Sequence, residues 1–176
     1  MELYTNDLLL KIVTYNDIDE VARMGNFEKG NISLQEAKKY IEDIQNNHKK
    51  NHTGYIYHLC LAIYEKNKNS IIGWCGLDGT SPNPENPNRL EIFYMIDKEY
   101  RNKGYATQCA SKLIEYAFEV VGVKYVNGGC NKYNIASKSV MGNVGMLLYE
   151  FDKESGGPSF YIDNEIYKKL KWLRNE

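Results

Sequence analysis

Between residues 90 and 121 an apolar strand-like run, a basic glycine turn and a helix-like run follow one another without a break, and this succession restricts the possible folds more than any other feature. Leu90-Glu-Ile-Phe-Tyr-Met-Ile96 reads as a strand. Arg101-Asn102-Lys103-Gly104-Tyr105-Ala106 reads as a turn, and Ala106, Ala110, Leu113, Ala117 and Val121 form one apolar stripe at helical spacing. The first N–H groups of a helix have no partner within it, and the helix dipole concentrates positive charge there. Arg101 and Lys103 add full charges beside them, which makes an anion cradle suited to a pyrophosphate. A nucleotide-bearing cofactor, and hence an enzyme, is the reading that follows. No Gly-Lys-Ser/Thr follows the turn, so it is not a Walker-type phosphate loop.

The rest of the chain alternates strand and helix patterns. Leu8–Thr14 reads as a strand, followed by a helix from about Asn16 with Ile18, Val21 and Ala22 on one face. Ser33-Leu-Gln-Glu36 is a capping-box pattern that opens a helix carrying Leu34, Ala37, Ile41 and Ile44 and fading in Gln45–Asn51. Tyr55–Tyr64 and Ile71–Leu77 read as a hairpin, and Pro82, Pro84 and Pro87 make 81–87 a loop. Lys124–Gly128 reads as a short strand, Asn134–Asn143 as a helix stopped by Gly145, and Met146–Phe151 and Phe160–Trp172 as closing strands around the loop 153–158. Clustered strand runs mixed with helices imply an α+β fold with a mostly antiparallel sheet.

A chain of 176 residues fits one domain spanning 1–176, with no repeat or linker. Its net charge of -1 gives no electrostatic basis for nucleic acid or an anionic membrane as the main partner. No apolar run approaches the roughly 20 residues of a membrane span, and the N-terminus lacks a signal-peptide pattern, so the expectation is a cytoplasmic protein, monomer or homodimer. Cys60, Cys75, Cys109 and Cys130 are widely spaced and read as reduced thiols rather than a disulfide frame or metal site. No metal is expected: His48 and His52 stand four apart, but in a Lys- and Asn-rich stretch that reads as a solvated helix end.

From Leu90 to Met146 the chain resembles the GNAT superfamily of acetyl-CoA-dependent N-acetyltransferases. Arg101-x-x-Gly104-x-Ala106 matches the superfamily signature Arg/Gln-x-x-Gly-x-Gly/Ala. Tyr94–Thr107, Asn134-Ile-Ala-Ser137, Val140 and Gly145-Met146 are similar to the branch containing the ribosomal-protein N-terminal acetyltransferases. The resemblance implies a GNAT-like mixed sheet, splayed between the strands at 90–97 and 124–128. It implies acetyl-CoA as co-substrate, with its pyrophosphate on Arg101, Asn102, Lys103, Gly104, Tyr105, Ala106 and Thr107. Its pantetheine would run along Tyr94, Met95 and Ile96 and bond to Asn134 and Ser137. Gly104 is expected because a Cβ would block close backbone approach. Phe93 stands where that branch has Gly, and Gln108, Cys109, Gly142 and Asn143 also depart from it; these departures leave the acceptor open.

Acetyl transfer to an amine needs a proton acceptor, donors to the thioester oxygen and a proton for the leaving thiol. Glu91 is the candidate base, with a structural or solvent-facing carboxylate as the alternative. Met95 N–H is the candidate oxyanion donor. Ser137 is the candidate proton donor, against an ordinary first-turn serine, with Tyr133 as second choice. His58 reads as structural, and Cys130 lacks a paired base for covalent catalysis. Glu28, Glu36, Asp43, Glu85 and Glu91 could form an acidic cleft for a polycationic acceptor, framed by the loops 26–32 and 79–89. A non-catalytic CoA-binding sensor or interaction module on the same fold is the competing reading, as is a binding domain with no cofactor.

Overall fold

The computed structural model describes residues 1–26, 29–80, 89–151 and 156–174. The proline loop 81–87, the first half of the loop 153–158, and Glu28 and Glu85 lie outside these. The strands are β1 (Glu2–Tyr4), β2 (Leu8–Lys11), β3 (His58–Glu65), β4 (Ile71–Asp78), β5 (Arg89–Ile96), β6 (Tyr125–Gly129), β7 (Leu147–Phe151) and β8 (Pro158–Asp163). The helices are α1 (Ile18–Met24), α2 (Leu34–His48), α3 (Tyr105–Tyr116), α4 (Ile135–Asn143) and α5 (Asn164–Arg174). The sheet order is β1-β2-β3-β4-β5-β6-β8-β7, antiparallel except for the parallel pair β5–β6.

Strand alternation divides the core into two layers. Leu59, Leu61 and Ile63 of β3 pack with Leu113 and Ile114 of α3 on one face. Cys60, Ala62 and Tyr64 of the same strand pack with Val21 of α1 and Ala37, Ile41 and Ile44 of α2 on the other. Central strands covered on both sides are apolar throughout, which is why β3 and β4 read as unbroken hydrophobic runs.

The expected capping box is formed: Ser33 Oγ accepts from Glu36 N at 3.2 Å, and Glu36 Oε2 accepts from Ser33 N at 2.7 Å. Leu34, however, is exposed; it is the first residue of α2 and lies off the buried stripe. The helix from 106 is α-helical to Tyr116 and then closes in a π turn over Ala117–Val121, where Gly122 N bonds to Ala117 O. Strand β1 carried no sequence signal. Tyr55 precedes β3 and bridges only to His52, and it stacks on the His52 ring, so His48 and His52 do not share a helix.

The reading of Phe160–Trp172 as strand is corrected: β8 ends at Asp163 and α5 follows. Asp163 Oδ1 accepts from Ile166 N at 2.8 Å, which caps a helix, and Ile166, Tyr167 and Leu170 then lie on one face against the core. Among the described residues, no helix is long and apolar enough to cross a membrane, and no group of His, Cys, Asp or Glu could hold a metal ion.

Candidate active site

The pairing of β5 and β6 covers only Arg89↔Tyr125, Leu90↔Val126 and Glu91↔Asn127, and beyond Glu91 the two strands part. The splay expected between the strands at 90–97 and 124–128 is therefore present. Phe93–Ile96 keep β4 on one side, while their other edge borders a gap. Asp97 N bonds to Ile72 O on β4 at 2.8 Å. Alternation along β5 then sends the Met95 N–H toward β4 as well and turns those of Tyr94 and Ile96 into the gap. The Met95 N–H, expected to be the oxyanion donor, therefore faces β4, and the N–H groups that face the gap are those of its two neighbours.

The gap opens into a cleft of about 570 Å³ lined by Tyr94, Met95 and Ile96 of β5, Arg101, Asn102 and Gly104 of the turn, Tyr105, Ala106 and Thr107 of α3, and Asn134 and Ser137 of α4. Asn102 (φ 62) and Gly104 (φ 76) are both left-handed, a backbone that gathers successive N–H groups into an anion-binding concavity. The first bond within α3 runs from Gln108 N to Gly104 O, so the N–H groups of Tyr105, Ala106 and Thr107 have no partner in the helix. A Cβ on Gly104 would meet nothing within 4 Å. Within the protein itself, glycine is favoured here by its φ and not by crowding from neighbouring residues.

Arg101 Nε donates to Ile96 O at 2.9 Å and ties the turn to the end of β5. Lys103 is the one expected cofactor residue that does not line the cleft. Its Nζ lies 3.9 Å from Glu65 Oε1 and over the rings of Tyr100 and Tyr105, at 5.0 and 5.8 Å. Glu65 is buried at the end of β3, accepts from the Tyr105 hydroxyl and pairs with Lys68. Lys68, then Tyr105, hold its carboxyl below the usual carboxylate range. Sequence reasoning missed Glu65, because Tyr105 and Lys103, which join it to the turn, lie about forty residues away.

Asn134 caps α4, its Oδ1 accepting from Ser137 N at 3.0 Å, which leaves its Nδ2 donors for a carbonyl. Ser137 uses its backbone in the bonds it makes, and its hydroxyl has no partner among the described residues. Tyr133 is 78% exposed and does not line the cleft. Cys130 Sγ lies 3.9 Å from Asn134 O, and burial raises its thiol pKa.

Glu91 stands on the opposite face of β5. Leu90, Ile92, Tyr94 and Ile96 pack toward α3, whereas Phe93 and Met95 share the α1–α2 side with Glu91. Glu91 pairs in register with Asp78 on β4 and with Asn127 on β6. Burial raises the Glu91 pKa and Asp78 adds to it, with Arg89 opposing. His58 Nδ1 lies 3.6 Å from Asp78 Oδ2, and its ring stacks on Phe93 at 5.4 Å. Phe93 in turn covers Gly76, where a Cβ would come within 2.4 Å of its ring. Phe93 therefore fills this face where the resembling branch has a glycine. Glu36 is held in the α2 cap and Asp43 is exposed on α2.

A family model described as an acetyltransferase (GNAT) domain matches residues 6–147. The chain is 28% identical over 154 residues to YjdG, an uncharacterised N-acetyltransferase of Bacillus subtilis, a match covering 84% of this chain and 86% of the relative. Solved structures share the fold. RimL, the ribosomal L7/L12 alpha-N-protein acetyltransferase, in complex with coenzyme A, superposes with a TM-score of 0.72 at 15% identity, covering 93% of this chain and 97% of its own. FdhC, a nucleotide-linked sugar GNAT, gives 0.76 at 17% identity, covering 99% and 97%. The chain belongs to the GNAT acetyltransferase family, and it is an acyltransferase.

Proposed function

We propose that this single-domain protein moves an acetyl group from acetyl-CoA to a primary amine by direct attack with both substrates bound, and that it does so in the cytoplasm. The observation that carries this reading is the parting of β5 from β6 directly above the left-handed Asn102–Gly104 turn at the start of α3. The coenzyme A complex of RimL supports the choice of cofactor.

Acetyl-CoA supplies the activated acyl group. The N–H groups of Tyr105, Ala106 and Thr107 would receive the pyrophosphate, with Arg101 adding charge. Asn134 Nδ2 would donate to a pantetheine carbonyl. The Tyr94 and Ile96 N–H groups would stabilise charge growing on the thioester oxygen. The acceptor would approach the α1–α2 side, past Phe93. An amine with a pKa of about 8 to 10.4 must lose a proton to attack. Glu91 would accept that proton, and the Ser137 hydroxyl would protonate the leaving thiol.

The test is release of free CoA thiol across a panel of protein N-termini, polyamines, amino sugars and small primary amines, repeated with Glu91→Gln and Ser137→Ala. Amine-dependent release that falls in both variants is expected. No release with any acceptor, alongside intact CoA binding, would favour the non-catalytic reading.

A further inference from the structure

A polar row crosses the acceptor-side face of the sheet: His58, Asp78, Glu91, Asn127 and Tyr161 are successive register neighbours on β3, β4, β5, β6 and β8. Glu91↔Asn127 is the last rung before β5 and β6 part. Within this row the Asn127 Oδ1 is buried and has no hydrogen-bond partner among the described residues. Buried carbonyl oxygens are nearly always satisfied, so an orphan at this point calls for a donor. Residues directly opposite each other in a sheet bring their Cβ atoms to roughly 5 Å, within reach of a glutamate side chain. An ionised carboxylate only accepts hydrogen bonds, whereas a protonated one has one O–H to give.

We propose that Asn127 is a positioning residue for Glu91: its Oδ1 accepts the hydrogen bond that the Glu91 carboxyl donates in its acid form. In the reaction, an N–H bond of the acceptor amine breaks and its electron pair stays on nitrogen for attack. The proton forms an O–H bond on Glu91, and that O–H turns to Asn127. The orphan oxygen is thus satisfied in the state reached after proton transfer, which makes Glu91 a better proton acceptor than an isolated carboxylate. The catalytic half of this inference rests on Glu91 being the base; the pairing itself does not.

Among the described residues, the other ionisable groups facing Glu91 are Asp78 opposite on β4, Arg89 two residues earlier on β5, and His58 beyond Asp78 on β3. Tyr125 stands opposite Arg89, and Tyr161 lies beyond Asn127. None of these is a hydrogen-bond partner of the Asn127 oxygen.

The experiment is a carbon-13 NMR titration of the glutamate side-chain carboxyls, with the Glu91 signal identified by its loss in Glu91→Gln. It is run on the parent, on Asn127→Ala and on the shape-conserving Asn127→Asp, together with pH profiles of kcat/KM. In Asn127→Ala the Glu91 midpoint should fall by about half a unit to one unit, the worth of one neutral hydrogen bond. In Asn127→Asp it should rise, because a second carboxylate then faces it. The acid limb of the rate profile should move with it, while KM for acetyl-CoA stays constant, since Asn127 does not line the cofactor cleft. A Glu91 midpoint identical in parent and Asn127→Ala would overturn the pairing, whatever happens to the rate. A midpoint that moves while the acid limb does not would uphold the pairing and remove Glu91 as the base.

Discussion

The Tyr94 hydroxyl donates to the Ser137 carbonyl at 3.3 Å, linking the free edge of β5 to the first turn of α4 across the cleft. This bond joins two walls of the cleft that pantetheine would occupy. Tyr94→Phe removes one hydrogen bond worth about 1 kcal/mol, so KM for acetyl-CoA should rise about five-fold with kcat little changed. Steady-state kinetics with varied acetyl-CoA checks this.

Ser137 is also the proposed proton donor. Its hydroxyl has no partner among the described residues, while its backbone is fixed by Asn134 and Tyr94. Ser137→Ala should therefore lower kcat, by about 10²-fold if proton donation limits the rate. Tyr133→Phe should leave the rate unchanged, because that ring stands in solvent. A single-turnover comparison of the two variants separates them.

Glu91→Gln should lower kcat by about 10²- to 10⁴-fold and raise stability at neutral pH. The sign follows from burial, which lifts the folded-state pKa of Glu91. A raised pKa means that the fold favours the acid form, so the ionised carboxylate weakens the fold once pH rises past that pKa. A neutral glutamine avoids that cost. The same shift means that activity in the parent should fall on acidification at a pH above the ordinary carboxylate range. Thermal melts at two pH values and a pH–rate profile test both halves.

Gly104→Ala meets no neighbour within 4 Å, so its cost comes from the left-handed backbone alone. A loss of about 1–2 kcal/mol is expected from denaturant unfolding. Crowding would give a larger loss that Gly104→Glu would deepen; φ strain would give similar losses for both.

The Glu36 carboxyl in the α2 cap is held down to about 2, first by the Ser33 hydroxyl and then by the Ser33 N–H. A depressed folded-state pKa contributes stability above the unfolded value that is lost as pH falls through the folded one. Acid unfolding should therefore show a component between about pH 4.5 and 2 that Glu36→Gln removes. An unaltered acid transition in that variant would mean that the cap contributes nothing.

Much of this was legible in the sequence where local chemistry decides the structure. The Ser33 box and the Arg101–Ala106 turn each act within a few residues, and each formed as read. The strand reading of Phe160–Trp172 failed because Phe160 and Ile162 alternate as a strand does, while the helical spacing of Ile166, Tyr167 and Leu170 begins only after Asp163. Register was invisible. The row from His58 to Asn127 and the clasp of Glu65 on Tyr105 join residues far apart in the chain, and no local pattern encodes them. Even the outward turn of the Tyr94 and Ile96 N–H groups depended on one bond, from Asp97 to Ile72.

The most direct measurement is a thermal melt with and without excess acetyl-CoA, repeated with Gly104→Glu. At 100 times its dissociation constant the ligand should stabilise the parent by about 2.7 kcal/mol, and the shift should vanish in the variant. A parent whose melting temperature is unmoved by acetyl-CoA would contradict a cofactor site in the gap between β5 and β6.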